Sequence, residues 1–174
     1  MSLGLTIWLD LLRVGHIFSA IMWIGILFFF NFVQVPAVAK MEPAGRTNIV
    51  LNLVPRALMY FRYSALATFL FGLTYILTIG TATDGYWTSA RFYNILIGGT
   101  LGTIMFLNVW FIIWPNQKKI IAATGATAKE GKPAPPEQAG WARQAFLASR
   151  TNLALTVPML FFMVAANHLL RLWA

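Results

Sequence analysis

The chain has 174 residues, of which 59% are apolar and only 10% are charged, and its mean hydropathy is +0.68. So few charges cannot cover the surface of a water-soluble domain, which argues against a soluble protein. The net charge is +8, but a basic excess in a membrane protein reflects topology more often than nucleic-acid binding. Cysteine is absent, which excludes disulfides, thiolate metal ligands and the attachment of a c-type haem.

Apolar residues are concentrated in four blocks, each long enough to cross the ~30 Å hydrocarbon core of a bilayer as a helix. The blocks cover about 5–36, 57–79, 92–114 and 151–173. They lack the alternating period of barrel strands, and a span in lipid must satisfy its own backbone hydrogen bonds. The sequence therefore predicts an all-α integral membrane protein, in which residues 1–174 form a single antiparallel four-helix transmembrane bundle.

The basic residues indicate how these spans are oriented. Nine of them lie in or beside the first and third connections between spans, whereas the second connection contains only Arg91. The nine are Lys40, Arg46, Arg56, Lys118, Lys119, Lys129, Lys132, Arg143 and Arg150. Because cytoplasmic connections are enriched in Lys and Arg, the bias predicts a multi-pass membrane protein whose first and third connections face the cytoplasm and whose two termini lie on the opposite side. The third connection, about 116–149, is rich in small residues, Pro and charge and is predicted to be a mobile cytoplasmic loop.

Ionisable side chains within the spans are the candidates for function, because a charged group in lipid is costly unless it has a partner or a role. These residues are Asp10, Arg13, His16, Arg62, His168 and Arg171. His16 and His168 are the only histidines, and the helical rise places both in the outer half of the bilayer. Two imidazoles at similar depth on two helices suit the axial ligation of one iron. We therefore predict a haem b whose iron is bound by His16 and His168.

Two arginines accompany the histidines. Arg13 precedes His16 by three residues and Arg171 follows His168 by three, so in antiparallel helices each Arg lies about one turn outward of its His. Guanidinium groups suit carboxylates, and we predict that both bind the haem propionates. In the alternative interpretation, each His bonds a neighbouring helix, Arg13 pairs with Asp10 and Arg171 extends to the interface. The sequence indicates no catalytic residue.

Asparagines in the spans predict a second kind of polar contact. The candidates within or at the end of an apolar block are Asn31, Asn108, Asn152 and Asn167. Amide side chains in membrane helices commonly hydrogen-bond across helices. We therefore expect these residues to join helices, and none of them identifies a substrate.

Four segments carry a family resemblance. They are "VGHIFSAIMWIGILFFFNF" (Val14–Phe32), "YFRYSALATFLFG" (Tyr60–Gly72), "FLNVWFIIWPNQKKII" (Phe106–Ile121) and "SRTNLALTVPMLFFMVAANH" (Ser149–His168). Together they resemble the membrane domain of the bacterial membrane-bound urate oxidase (urate hydroxylase, PuuD-like) family. More distantly, the first segment is similar to HemJ-type membrane haem proteins, which act in protoporphyrinogen oxidation.

The resemblance implies a redox function in the bacterial inner (cytoplasmic) membrane, with both termini in the periplasm. The chain departs from the family pattern in two respects. Full-length members have further helices and a C-terminal cytochrome c domain that would receive electrons from the substrate, whereas this chain ends after the fourth span and has no cysteine. Ser64 stands where the family motif on the second helix has a glutamate, so substrate proton chemistry lacks its carboxylate.

Three functions follow as hypotheses. The first is a haem b electron-transfer module or subunit that exchanges electrons with a periplasmic cytochrome c or a larger membrane oxidoreductase complex. The second is a small-molecule oxidase of the urate oxidase type, and the third is a cofactor-free structural subunit of a larger membrane complex. The expected partners are therefore membrane lipid and a redox protein, with self-association left open and no nucleic acid.

Overall fold

The computed structural model describes residues 2–168, and it describes side chains over residues 2–166. This part of the chain forms four long helices and contains no β-strand. The helices are α1 (Leu3–Ala39), α2 (Pro43–Ala82), α3 (Ala90–Glu130) and α4 (Gln138–His168), with a short 3-10 turn at Tyr86–Thr88. Each of the four is long and apolar enough to cross a membrane. The prediction of an all-α chain with four such helices is confirmed.

The helices pack as two antiparallel pairs, α1 with α2 and α3 with α4. In the first pair, the rings of Phe30 and Phe61 lie 5.8 Å apart while Leu9 packs with Ile79. The antiparallel order defines two ends of the bundle. We call the end with Leu3 and the connection 83–89 the terminal end, and the end with the connections 40–42 and 131–137 the connection end.

Two apolar clusters hold the pairs together. The larger contains residues of all four helices, and its buried members include Trp23, Leu27, Phe61, Met105 and Met159. The smaller lies at the terminal end, where Leu9, Ile79 and Tyr86 are buried and the partly buried rings of Tyr75 and Phe92 pack against them. The smaller cluster thus joins α1, α2, α3 and the connection 83–89.

Three prolines at which the sequence predicts helix ends lie inside α1, α2 and α3. In each case a π-helical segment finishes two residues before the proline: Phe29–Gln34 before Pro36, Ile49–Leu53 before Pro55, and Asn108–Ile113 before Pro115. A proline ring clashes with the carbonyl four residues earlier and lacks an N–H donor. The wider π turn changes the hydrogen-bond register at that point, so the helix continues.

The predicted loop over 116–149 is wrong in extent. Helix α3 continues to Glu130, where Gly131 adopts a left-handed φ of 67° at the helix end, and α4 begins at Gln138. Only 131–137, which contains three prolines, connects the two helices. The 41-residue α3 is about 62 Å long, twice the thickness of a bilayer core. The predicted spans of 5–36, 57–79 and 92–114 are correspondingly shorter than the helices that contain them.

Amide side chains link α3 to α4 along their contact. Asn108 donates to Oδ1 of Asn152 at 2.8 Å, and Asn152 donates to the carbonyl of Met105 at 2.9 Å. Nearer the connection end, Asn116 donates to Gln144 at 3.2 Å. Because each bond pairs a fixed position on α3 with one on α4, together they set the register of the two helices.

The asparagine prediction is confirmed for the residues with described side chains. Besides Asn108 and Asn152, Asn31 of α1 donates to the hydroxyl of Ser149 on α4 at 2.8 Å. This bond connects the two helix pairs at the connection end. The side chain of Asn167 lies outside the described residues.

Candidate functional site

His16 lies on the face of α1 that packs on α2. Its Nδ1 is 2.8 Å from the carbonyl oxygen of Thr68. A carbonyl can only accept, so Nδ1 carries the hydrogen and donates it. In the neutral ring Nε2 then holds the lone pair, and no second hydrogen bond of this imidazole is formed with the described residues. The ring is thus held by one nitrogen and has the other available to bind a further group.

A glycine on α2 makes this position possible. A Cβ atom at Gly72 would lie 2.8 Å from Nδ1 and 2.9 Å from Cε1 of His16, which is closer than such atoms approach. One residue away on each helix, a Cβ at Gly15 would touch the ring of Phe71 at 3.0 Å. The helices therefore meet closely around His16, and the orientation of its imidazole is fixed by backbone atoms.

Arg13 forms the ion pair that the alternative interpretation expects and also a contact that the sequence did not indicate. Its Nη1 lies 3.3 Å from Oδ1 of Asp10, and both side chains are about half exposed. Its Nη2 donates to the phenol oxygen of Tyr75 on α2 at 2.9 Å. Arg91 of α3 donates to the same phenol oxygen at 2.8 Å. Two guanidinium groups from different helices therefore converge on Tyr75.

Arg62 lies in the other half of the bundle and is surrounded by aromatic rings. Its guanidinium carbon is 3.8 Å from the ring centroid of Trp114, 4.8 Å from that of Tyr63 and 5.8 Å from that of Trp110. Such cation–π contacts stabilise a guanidinium where water is scarce. No carboxylate of the described residues forms an ion pair with Arg62, so its partners are the rings.

Two of the predicted site residues cannot be placed relative to His16. The backbone of His168 ends α4, but its side chain and the whole of Arg171 lie outside the described residues. The antiparallel order places the last turn of α4 at the terminal end, where α1 begins. It remains a prediction that His16 and His168 bind the haem iron. Propionate binding by Arg13 and Arg171 remains a prediction as well.

The described side chains do not form a cluster for a bare metal ion. None of them belongs to a group of three or more His, Cys, Asp or Glu residues that could hold one. A haem iron does not need such a cluster, because two imidazoles are enough to bind it. His16 is the described half of the predicted site. Its Nδ1 is bound to a carbonyl and its Nε2 is free, which is the tautomer that a haem ligand requires.

Sequence reasoning missed Thr68, Gly72, Tyr75 and Arg91. Thr68 acts through its backbone carbonyl and Gly72 through the absence of a side chain, so neither has a chemical signal in the sequence. In the sequence Arg91 is only a basic residue of the second connection, and Tyr75 lies 62 residues from Arg13. These contacts depend on how α1, α2 and α3 are paired.

A model of one protein family, described as urate oxidase N-terminal, matches residues 75–174, which are 100 of the 174 residues. The matched region begins at Tyr75 and includes Arg91 and all of α3 and α4, whereas Arg13 and His16 precede it. No curated protein and no solved structure matches the chain. The family match agrees with the urate oxidase resemblance of the membrane segments, while the similarity to HemJ-type proteins stays a prediction. Because the match covers more than half of the chain, the protein belongs to the urate oxidase N-terminal family.

Proposed function

We propose that this chain is the membrane-embedded part of an oxidoreductase system of the urate oxidase type. In this role it holds a haem b and exchanges electrons with a periplasmic cytochrome c or an associated membrane oxidoreductase. The family match supports the urate oxidase relationship. The observation that supports the haem most directly is the His16 imidazole, fixed through Nδ1 with Nε2 available.

Membrane insertion is supported by the surface of the helices. Large apolar side chains project outward on several faces, among them Phe18 at 70%, Phe111 at 73% and Val157 at 73% exposure. Exposed apolar surface costs about 25 cal/mol per Å² in water and nothing comparable in hydrocarbon. A bilayer therefore provides the environment in which this surface is stable.

The distribution of charge supports the orientation. The nine basic residues of the first and third connections lie at the connection end, with few at the terminal end. We propose that the connection end faces the cytoplasm and the terminal end, with His16, faces the periplasm. A haem bound near His16 would then lie on the side from which a periplasmic cytochrome approaches.

Reporter fusions test this orientation in the bacterial inner membrane. A reporter enzyme that is active only in the periplasm is expected to be active when fused after Ala174 of the full chain. The same reporter inserted into the connection 131–137 is expected to be inactive, and it serves as the matched control. The reverse pattern would place the terminal end in the cytoplasm and contradict a periplasmic redox partner.

Within the proposed site each residue has a defined task. Nε2 of His16 would bind one face of the iron, and His168 would supply the second imidazole. The carbonyl of Thr68 holds Nδ1–H, which fixes the tautomer and raises the basicity of the ring. Arg13 and Arg171 would pair with the propionates. The bound haem supplies a site that gains and loses one electron.

A second candidate function, a small-molecule oxidase acting on urate, is favoured by the name of the matched family. In this structure the Ser64 hydroxyl donates to the carbonyl of Phe61 at 3.1 Å within its own helix. It therefore does not replace the carboxylate that the urate oxidase resemblance implies at this position. This favours electron transfer over substrate oxidation by this chain alone.

An absorption spectrum of the purified full chain tests the proposal. After chemical reduction we expect the sharp visible bands of a low-spin b-type haem, extractable without covalent attachment because cysteine is absent. Reduction of the haem by added urate would instead support the oxidase function. A folded but colourless protein would contradict haem binding and favour the structural-subunit hypothesis.

A further inference from the structure

Arg13 and Arg91 meet at Tyr75, and the described residues around them supply too little negative charge to neutralise both. The Nη2 atoms of both arginines donate to one neutral phenol oxygen, so the guanidiniums lie within about 6 Å of each other and repel. Asp10 pairs with Arg13. Neither Asp10 nor Asp84, the acidic residue of the connection 83–89, comes within 4.0 Å of Arg91. Arg91 is therefore a guanidinium without a described anionic partner.

The same cluster contains hydrogen-bond donors without acceptors. Nε of Arg91 is buried and makes no hydrogen bond with the described residues. The hydroxyl of Tyr86, a residue only 4% exposed and packed beside Tyr75, is likewise unpaired there. Burial raises the pKa of the Tyr86 phenol, so it stays protonated and can donate. Tyr75 accepts two bonds, while its own hydroxyl proton has no described acceptor.

We propose that Arg13, Tyr75 and Arg91 form a binding site for a carboxylate group. A carboxylate has about four acceptor positions, and its planar shape fits the fork of a guanidinium. Since Arg13 already pairs with Asp10, one negative charge is missing, which a carboxylate supplies and a phosphate dianion would exceed. The three residues come from α1, α2 and α3, so occupancy would join these helices at the terminal end.

The carboxylate could belong to a haem propionate or to a free carboxylic acid. Arg13 lies three residues from His16, so a propionate of the proposed haem is within the range of this site. In that case the inference rests on the proposed function and adds Arg91 and Tyr75 to the haem contacts. The site itself depends only on the cluster and can be tested with a carboxylate alone.

The first test uses sodium propionate and the full chain purified in detergent. At ten times its Kd, propionate is expected to raise Tm by about 3–6 °C in the wild type, in a saturable way that sodium chloride at equal ionic strength does not reproduce. Arg91→Gln is expected to abolish the rise. Arg62→Gln is the matched control. Arg62 also has a buried Nε without a described partner, but it lies among aromatic rings. The Arg62→Gln variant should therefore keep the full rise in Tm.

The proposal is wrong if propionate raises the Tm of wild type and of Arg91→Gln equally. It is also wrong if sodium chloride raises the Tm of the wild type as much as propionate does. If Arg91→Gln does not fold, Arg91→Lys and Tyr75→Phe replace it. Lysine keeps the charge without the planar fork, and phenylalanine removes the shared oxygen. Each is expected to weaken propionate binding several-fold, and unchanged binding in both would also refute the proposal.

The second test identifies the source of the carboxylate by comparing haem with its dimethyl ester, which lacks free carboxylates. If a propionate occupies the site, the wild type should bind haem about tenfold more tightly than the ester. In Arg91→Gln this preference should fall several-fold, because only Arg13 and Arg171 would still pair with the propionates. Equal binding in the wild type would assign the site to a free carboxylic acid, provided that propionate stabilises the protein. If the protein binds neither porphyrin, the proposed function is refuted. The propionate experiment then decides by itself whether the carboxylate site exists.

Discussion

Replacement of His16 by Ala is expected to convert a low-spin haem in the purified protein to a high-spin five-coordinate centre or to abolish haem retention. The change removes the only described imidazole, whose Nε2 is available while Nδ1 is bound to Thr68. An iron with one axial ligand is high-spin, and an iron with none is held only by the porphyrin contacts. Absorption spectra of the oxidised and reduced protein, with the haem content per chain, measure both outcomes.

Two variants on α2 separate ligation from packing. Gly72→Ala places a Cβ 2.8 Å from Nδ1 of His16 and must displace the ring, so it is expected to alter the spectrum without removing a ligand. Ser64→Ala, one turn from Thr68, removes a hydroxyl that bonds only to the carbonyl of Phe61 and should leave the spectrum unchanged. A wild-type low-spin spectrum in both His16→Ala and His168→Ala would show that neither histidine is an axial ligand.

The helical architecture could be predicted from the sequence because helices that are long and apolar enough to cross a membrane have a strong compositional signal. Four blocks of apolar residues fixed the number and order of the helices, and antiparallel pairing follows from their succession. The interhelical role of Asn31, Asn108 and Asn152 could also be predicted, since amide side chains in apolar helices commonly hydrogen-bond across helices.

The helix ends could not be predicted, because proline is interpreted locally as a helix terminator. Pro36, Pro55 and Pro115 each follow a π turn that lets the helix continue. Whether such a turn forms depends on packing around it, which a local rule does not include. The local rule therefore predicts a loop after Pro115, where the structure continues α3 to Glu130.

The candidate site could be predicted only in part, for a related reason. His16 and Arg13 stand out because ionisable groups are rare in apolar helices. Their partners Thr68, Tyr75 and Arg91 become visible only when the register of α1 against α2 and α3 is known. A backbone carbonyl, above all, has no residue type by which a sequence could reveal it.

Replacement of Asn152 by Leu is expected to lower the free energy of unfolding by about 1–3 kcal/mol, because it breaks two buried hydrogen bonds while the number and branching of the side-chain heavy atoms stay the same. Asn152 is 0% exposed, accepts from Asn108 and donates to the carbonyl of Met105 next to the π segment Asn108–Ile113. Leucine leaves the Asn108 amide without this acceptor. Hydrogen bonds between membrane helices average only ~0.6 kcal/mol, but a partner left unsatisfied in the core adds its desolvation cost.

Asn52→Leu is the matched control for this last substitution. Asn52 is exposed, and its amide donates only to the carbonyl of Asn48 in its own helix at 3.1 Å, so the same exchange should cost less than about 0.5 kcal/mol there. Chemical unfolding in detergent, followed by tryptophan fluorescence, measures both variants. Asn108→Leu and the double variant complete a cycle, in which a coupling near 1 kcal/mol between positions 108 and 152 is expected. Equal stability of Asn152→Leu and Asn52→Leu would mean that apolar contacts alone, and not the amide pair, hold α3 against α4.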